Sequence, residues 1–221
     1  MAMRWIFKPP FTRISLRRAA VRYADHRWDV IPGAWLEGSR FACGRPGCPT
    51  TSCHPALERW EQAANADPAR VGAWWCRHPH AVLLATGHEF DALEVPTHLG
   101  RKVLQAAGNH AGVVGPGRLQ VRGPVAATPT GRWMFLVRPG DPLRPELDNS
   151  LDVVRHAAGS WLPAPPSRMP EGRVRWIVSP EEVAWRLPDS YALQRLLVDA
   201  VSVRLPHGRF PRQLSGTRRA A

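Results

Sequence analysis

A single α/β (α+β) domain is the fold the sequence predicts, on three observations. Short apolar runs of strand character alternate with runs of helical spacing, the pattern of mixed layers and not of a bundle or a sandwich. The 221 residues contain no internal repeat and no linker-like stretch, and that length suffices for one sizeable core. A hydrophobic fraction of 44% supplies the core and excludes wholesale disorder.

The domain is expected over residues 15–203, after a basic extension (1–14) and before a basic, flexible tail (204–221). Thr12 or Ser15 can cap a first helix with Leu16, Ala20 and Tyr23 on one face. Trp28, Val30 and Ile31 read as a short strand closed by Pro32-Gly33. Residues 38–56 are rich in Gly, Pro, Cys, Ser and Thr, lack periodicity, and read as an inserted loop. Asp67-Pro68 is a helix start, an N-cap followed by proline at the first helical position, with Val71, Trp74 and Trp75 as the apolar face. Cys76, beside Trp75, is expected as a buried core thiol. His78-Pro79-His80 reads as an extended, helix-ending turn.

Residues 81–85 form a continuous apolar run, expected as a buried strand, and 91–95 a second strand after Thr86-Gly87. Thr97 can cap a third helix that buries Leu99, Val103 and Ala106 and stops at Gly108. Strand-like runs follow at 119–121, 125–127, 133–137 and 174–178. Asp189 or Ser190 opens a last helix through Leu193, Leu196, Leu197 and Ala200.

Thirty Lys plus Arg against eighteen Asp plus Glu give a net charge of +12, almost all of it arginine. No acid occurs before Asp25, between Glu94 and Asp141, or after Asp199. Three acid-free, Arg-rich stretches of this kind suit a phosphate backbone if they converge in space. The longest apolar run is too short to span a bilayer, and the first residues lack the apolar core and cleavage site of a secretory signal. A cytoplasmic protein is expected.

The segment 90–96, Phe-Asp-Ala-Leu-Glu-Val-Pro, has the shape of a metal-binding strand that ends apolar-apolar-acid-x-acid. Side chains two apart on a strand share a face, so two such acids can share the cations that clamp phosphoryl transfer. Here Glu94 stands at the first acidic position and Pro96 at the second.

Four segments in order carry a family resemblance. They are 19–33 (an Ala-rich helix into Trp-Asp-Val-Ile-Pro-Gly), 67–87 (Asp-Pro, Ala-Trp-Trp, His-Pro, then a strand ending Thr-Gly), 128–140 (Thr-Pro-Thr-Gly-Arg-Trp-Met-Phe-Leu-Val-Arg-Pro-Gly) and 151–167 (Leu-Asp, then Gly-Ser-Trp-Leu-Pro-Ala-Pro-Pro-Ser). Together they resemble the bifunctional DNA primase/polymerase N-terminal (prim-pol) domain of the archaeo-eukaryotic primase superfamily, in a short Cys-bearing bacterial variant. The resemblance implies an RRM-like sheet flanked by helices, DNA and nucleoside triphosphates as partners, and Mg²⁺ or Mn²⁺ where the site is catalytic.

It also implies an Asp-x-Asp strand and a later Asp as metal ligands, and a Ser/Gly-x-His element for the triphosphate. Carried onto this chain, Glu94 matches the first acid, Asp152 the later one, and Pro96 and Met134 stand where the second acid and the His are expected. Neither proline nor methionine offers a hard oxygen ligand or a charged donor. Asp91 is odd-spaced from Glu94 and faces away on a regular strand; a shifted register would pair it with Glu89 but aim Leu93 and Val95 at the metal. Gly131 and Arg132 offer a flexible backbone and a guanidinium for phosphate, with Arg138, Arg101 and Lys102 as further contacts. Trp133 and Trp161 are candidates for stacking on bases, and Pro165-Pro166-Ser167 resembles a rigid turn behind the site.

Cys43, Cys48, Cys53 and His54, spaced Cys-x4-Cys-x4-Cys-His, are sufficient to ligate a structural Zn²⁺ in a loop with little core of its own; free thiols are the alternative. Adjacent Cys53 and His54 bind one ion only with strain, which points to a ligand from elsewhere. The expectation is thus a primase/polymerase-like protein that binds DNA or nucleotides through a degenerate site. The alternatives are an active nucleotidyltransferase using Glu94, Asp91 and Asp152, and a Zn-stabilised adaptor that never touches nucleic acid. No P-loop occurs in the sequence, so any unwinding falls to a separate helicase.

Overall fold

The computed structural model describes residues 10–111 and 121–202, with the backbone alone at 10, 11 and 109–111. Most of the basic extension, the stretch holding Arg118, Leu119 and Gln120, and the tail lie outside the described residues. Convergence of the three Arg-rich stretches therefore falls partly outside them.

The first helix, α1 (Pro10–Asp25), buries Leu16, Ala20 and Tyr23 as their spacing predicts. It begins before the expected boundary, so Thr12 and Ser15 lie inside it, and the Ser15 hydroxyl bonds back to the Thr12 carbonyl at 2.9 Å. Strand β1 (Val30–Gly33) follows, wholly buried. The expected irregular loop begins as a hairpin, β2 (Trp35–Glu37) and β3 (Arg40–Ala42), turned at Gly38 with φ of 62°. Three-residue strands are too short to print an alternation, which is why this hairpin left no periodic signal.

After α2 (Trp60–Ala63), the helix α3 (Pro68–Trp74) starts as predicted. The Asp67 carboxylate accepts from the backbone N–H of Ala69 and Arg70 at 2.8 and 3.2 Å, satisfying two otherwise orphaned donors. Arg17 donates to the Gly72 carbonyl at 3.0 Å and fastens α3 to α1. Because α3 ends at Trp74, Cys76 falls on the outgoing turn and is exposed, not the core thiol expected.

Strands β4 (Ala81–Ala85) and β5 (Asp91–Pro96) lead into α4 (Thr97–Ala111), which continues past Gly108. Then come β6 (Val125–Ala127), β7 (Arg132–Val137), α5 (Pro145–Asp148), β8 (Val154–His156) and β9 (Trp161–Pro163). The two-residue strands β10 (Arg168–Met169) and β11 (Gly172–Arg173) precede β12 (Arg175–Val178) and α6 (Ser190–Ser202). Asp189 caps α6, its carboxylate accepting from the Ala192 N–H at 2.9 Å. Val121 belongs to no strand.

Two antiparallel sheets organise the molecule: β1-β4-β9, and the five strands β12-β6-β7-β5-β8. Within the larger one, β5-α4-β6-β7-β8 forms an antiparallel sheet in the order β8-β5-β7-β6, the arrangement of an RRM-like sheet. Its Leu93, Val95, Phe135 and Val137 pack against α4 and α6 through Leu99, Val103, Leu193 and Leu197. The opposite face packs Ala92, Ala126, Met134 and Leu136 with Tyr23, Trp28, Trp75 and Phe90. Burial of both faces explains why β7 reads as a continuous apolar run from Trp133 to Val137. Pro32 is tolerated in β1 because that strand is an edge and Pro lacks only a donor; its carbonyl still accepts from Ala56 at 2.8 Å.

Candidate functional site

The site follows from the register of three strands. Alternation along β5 puts Ala92, Glu94 and Pro96 on the face turned from α4, with Asp91, Leu93 and Val95 on the other. Across the ladder Glu94 stands opposite Met134 on β7 and Val154 on β8, and Pro96 opposite Arg132. The carboxylate of Glu94 therefore has apolar side chains at both directly paired positions.

Its charge is met diagonally. Arg132 donates from Nε to Oε1 at 2.7 Å, and His156 Nε2 lies 2.7 Å from Oε2. The hydrogen bond from His156, opposed by burial and reinforced by Arg132, holds the Glu94 carboxyl below the usual carboxylate range. Both partners are anchored independently. Arg132 Nη2 donates to the Asp152 carbonyl at 3.2 Å, and His156 Nδ1 is 2.9 Å from the Ser160 hydroxyl. These groups line a cleft of about 600 Å³ with Thr128, Thr130, Trp161 and Glu171, and Phe41, Ser52 and Cys53 of the hairpin and Cys-rich loop line it as well.

Asp91 does not join this group. It lies on the other face, 1% exposed, with Oδ2 accepting from Arg155 Nη2 at 2.7 Å and from the Gly140 N–H at 3.2 Å. Its expected role beside Glu94 is corrected by the register, which is the one that keeps Leu93 and Val95 in the core; Glu89 instead pairs with Arg27 at 3.6 Å. Asp152 reaches the site through its backbone carbonyl, in the turn before β8.

Of the expected binding residues, Arg132 lines the cleft, and Gly131 stands in the chain between it and Thr130, which lines it too. Gly131 has φ of 84°, and its carbonyl accepts from the backbone and hydroxyl of Thr97, both at 2.9 Å. Trp133 is corrected as a stacking group: it is buried on the α4 side, against Gly100. Trp161 does line the cleft. Arg138, at the far end of β7, pairs with Asp189 at 2.9 Å. Arg101 and Lys102 sit on α4, across the sheet from Glu94, with Lys102 Nζ 3.5 Å from the Ala200 carbonyl. Sequence reasoning missed His156 and Ser160. The run 153–156 has strand character, and recognising β8 would have placed Val154 and His156 on one face; nothing in the sequence says which strand that face meets.

In the Cys-rich loop, the ligand atoms of Cys43, Cys48 and His54 all lie within 4.8 Å of one another. This is the sole such group of three His, Cys, Asp or Glu side chains among the described residues. His54 Nδ1 is fixed by the Ser52 carbonyl at 2.7 Å, which leaves Nε2, 3.5 Å from Cys48 Sγ, for a ligand. Burial opposes ionisation of Cys43, but hydrogen bonds from His54 and Arg45 outweigh it and bring the thiol down to about 6. Cys53 is corrected as a member of the set: it packs against Ile31, Ala81 and Leu83, and burial pushes its thiol up to about 12. The cluster can hold a metal ion through three ligands.

The profile of the family described as bifunctional DNA primase/polymerase, N-terminal, matches residues 20–190. The chain belongs to that family. The matched span runs from α1 to the first residue of α6, so it takes in both sheets and the cleft of the prim-pol domain. The turn 165–167 of the prim-pol domain is clamped to the core, with Tyr23 donating to the Pro165 carbonyl at 2.6 Å and Ser167 Oγ accepting from the Val82 N–H at 2.8 Å. Among curated proteins no match was found. No helix of the described residues is long and apolar enough to cross a membrane.

Proposed function

We propose that this prim-pol domain binds DNA or nucleotides in the cleft at Glu94 and does not polymerise. The observation that carries the reading is the occupancy of Glu94: its two oxygens are taken by Arg132 and His156, Pro96, Met134 and Val154 stand at the neighbouring positions of the same face, and the other carboxylate lining the cleft, Glu171, comes from the turn between β10 and β11. A two-metal centre needs several oxygen ligands converging on a pair of cations. A site whose Glu94 oxygens already serve Arg132 and His156, beside Pro96 and Met134, does not fit one. Arg132, His156 and the hydroxyls of Thr128, Thr130 and Ser160 suit phosphate instead, and the net charge of +12 favours a polyanion.

The test is primer synthesis and extension with Mn²⁺ and labelled nucleotides, beside binding of a labelled single-stranded oligonucleotide. The expected outcome is no template-dependent product and binding that weakens steeply with salt. Product that disappears in Glu94→Ala would establish the active nucleotidyltransferase. Absent or salt-independent binding would favour the adaptor.

The Cys43, Cys48 and His54 cluster is proposed as a structural Zn²⁺ site, on the strength of its soft donor set and the fixed His54 tautomer. Metal analysis of purified protein is expected to give close to one equivalent. Less than half an equivalent would remove the assignment.

A further inference from the structure

We propose that Arg132 and His156 form a phosphate-binding pair and that Glu94 is its resident stand-in, displaced when a phosphate group enters. The proposal rests on the reading that the cleft takes nucleotides or DNA, and it adds which residues grip the phosphate and what competes for them.

Three observations carry it. First, a guanidinium and an imidazole approach one carboxylate from two strands, each at 2.7 Å and each to a different oxygen. Two non-bridging oxygens of a phosphate accept from the same pair of donors. Second, neither donor depends on Glu94 for its aim. Arg132 is held by the Asp152 carbonyl at 3.2 Å and His156 by the Ser160 hydroxyl at 2.9 Å, so both stay in place when the carboxylate swings away. Third, the pair borders an open cleft of about 600 Å³, a size typical of ligand sites, and a purely structural ion pair has no need of one. Met134 and Val154, directly opposite Glu94, offer nothing that a phosphate could bind, so recognition falls to the diagonal pair.

The proposal and metal catalysis demand opposite results from one substitution. If Glu94 held a catalytic cation, Glu94→Gln would weaken binding of a metal–nucleotide. If Glu94 occupies a phosphate site, removing its charge while keeping its shape weakens its hold on both donors, since the amide offers a single neutral acceptor, and removes a repulsion.

The experiment is calorimetric titration of the full chain with sodium tripolyphosphate, and with ATP, at constant ionic strength, in divalent-free buffer and again with Mg²⁺, where a Glu94→Gln variant that binds Mg²⁺–ATP more weakly than wild type overturns the proposal. Glu94→Gln is expected to tighten tripolyphosphate binding roughly tenfold, and Arg132→Ala or His156→Ala in that background to reverse the gain. Tightening for ATP but not for a twelve-residue oligo(dT) identifies the free nucleotide as the source of the phosphate; tightening for both identifies the DNA backbone. Equal or weaker binding by a folded Glu94→Gln overturns the proposal. Should that variant fail to fold, the wild-type chain decides: saturating tripolyphosphate shifts the imidazole ¹⁵N resonances of His156 and leaves those of His80 unmoved, and an unmoved His156 overturns it. The two readings fail separately. Oligo(dT) binding by wild type without a gain in Glu94→Gln sinks only this inference. A gain for tripolyphosphate without any oligo(dT) or ATP binding by wild type sinks only the reading of the cleft.

Discussion

Arg155 and Glu94 show how adjacent strand positions with opposite facing acquire unlike tasks. Arg155 neutralises Asp91 in the core, a carboxylate 1% exposed, one of whose oxygens has no hydrogen-bond partner. Arg155→Met strands that charge and is expected to cost about 3–5 kcal/mol, read by urea unfolding. Glu94, by contrast, is held below its ordinary range by His156 and Arg132. A depressed folded value means the stabilisation is present above the unfolded value of about 4.3 and is lost as pH falls through the folded one. The stability difference between wild type and Glu94→Gln, measured in phosphate-free buffer, is therefore expected to shrink as pH falls below about 4. Sequence spacing foretold that Asp91 and Glu94 diverge, because a strand has period two. It gave no hint of His156, whose contact with Glu94 spans 62 residues and exists only through the β5–β8 ladder.

At the scale of elements, local chemistry and close packing separate cleanly. The cap at α3 is local: Asp67→Ala leaves two backbone donors of the first turn unpaired and is expected to lower stability by about 1 kcal/mol, measured by thermal or denaturant unfolding. Gly100 is tertiary. A Cβ there would lie 2.4 Å from the Trp133 ring, so Gly100→Ala pushes α4 off β7 and is expected to cost about 1–3 kcal/mol by overpacking, despite alanine's better helix propensity. That same contact explains why Trp133 is unavailable for stacking: its sequence shows an aromatic on a strand, and only the apposed helix decides which face is covered. The helices announced by 3.6-residue spacing and by the caps at Asp67 and Asp189, and the strands at 81–85 and 91–95, were legible for the same reason. Their signals lie within a few residues. The hairpin of β2 and β3 was not, because its strands are too short to show a period and its pairing closes around Gly38.

For the whole molecule, charge and the Cys-rich loop set the expected behaviour. A chain of net charge +12 that contacts several phosphates should lose roughly tenfold or more of its single-strand affinity between 50 and 200 mM salt, in an anisotropy titration. Zinc bound by Cys43, Cys48 and His54 would tie the hairpin to the segment that follows it, since the His54 carbonyl accepts from the Ala34 N–H at 2.8 Å and Ala56 pairs with Pro32 on β1. Chelation is accordingly expected to lower the melting temperature, and Cys48→Ser to abolish that response while Cys53→Ser, outside the cluster, retains it. The sequence by itself determined the α+β class, the family, the main capped helices, the central strands and the apolar residues at positions 96 and 134, because these depend on residue type and on periods of a few residues. Only the tertiary structure decided that Glu94 is held by Arg132 and His156, that Asp91 belongs to the core with Arg155, and that Cys53 leaves the thiol cluster. Each of those facts depends on which distant strand or loop lies alongside, and strand pairing is fixed by the burial of both faces of the sheet together, not by any segment alone.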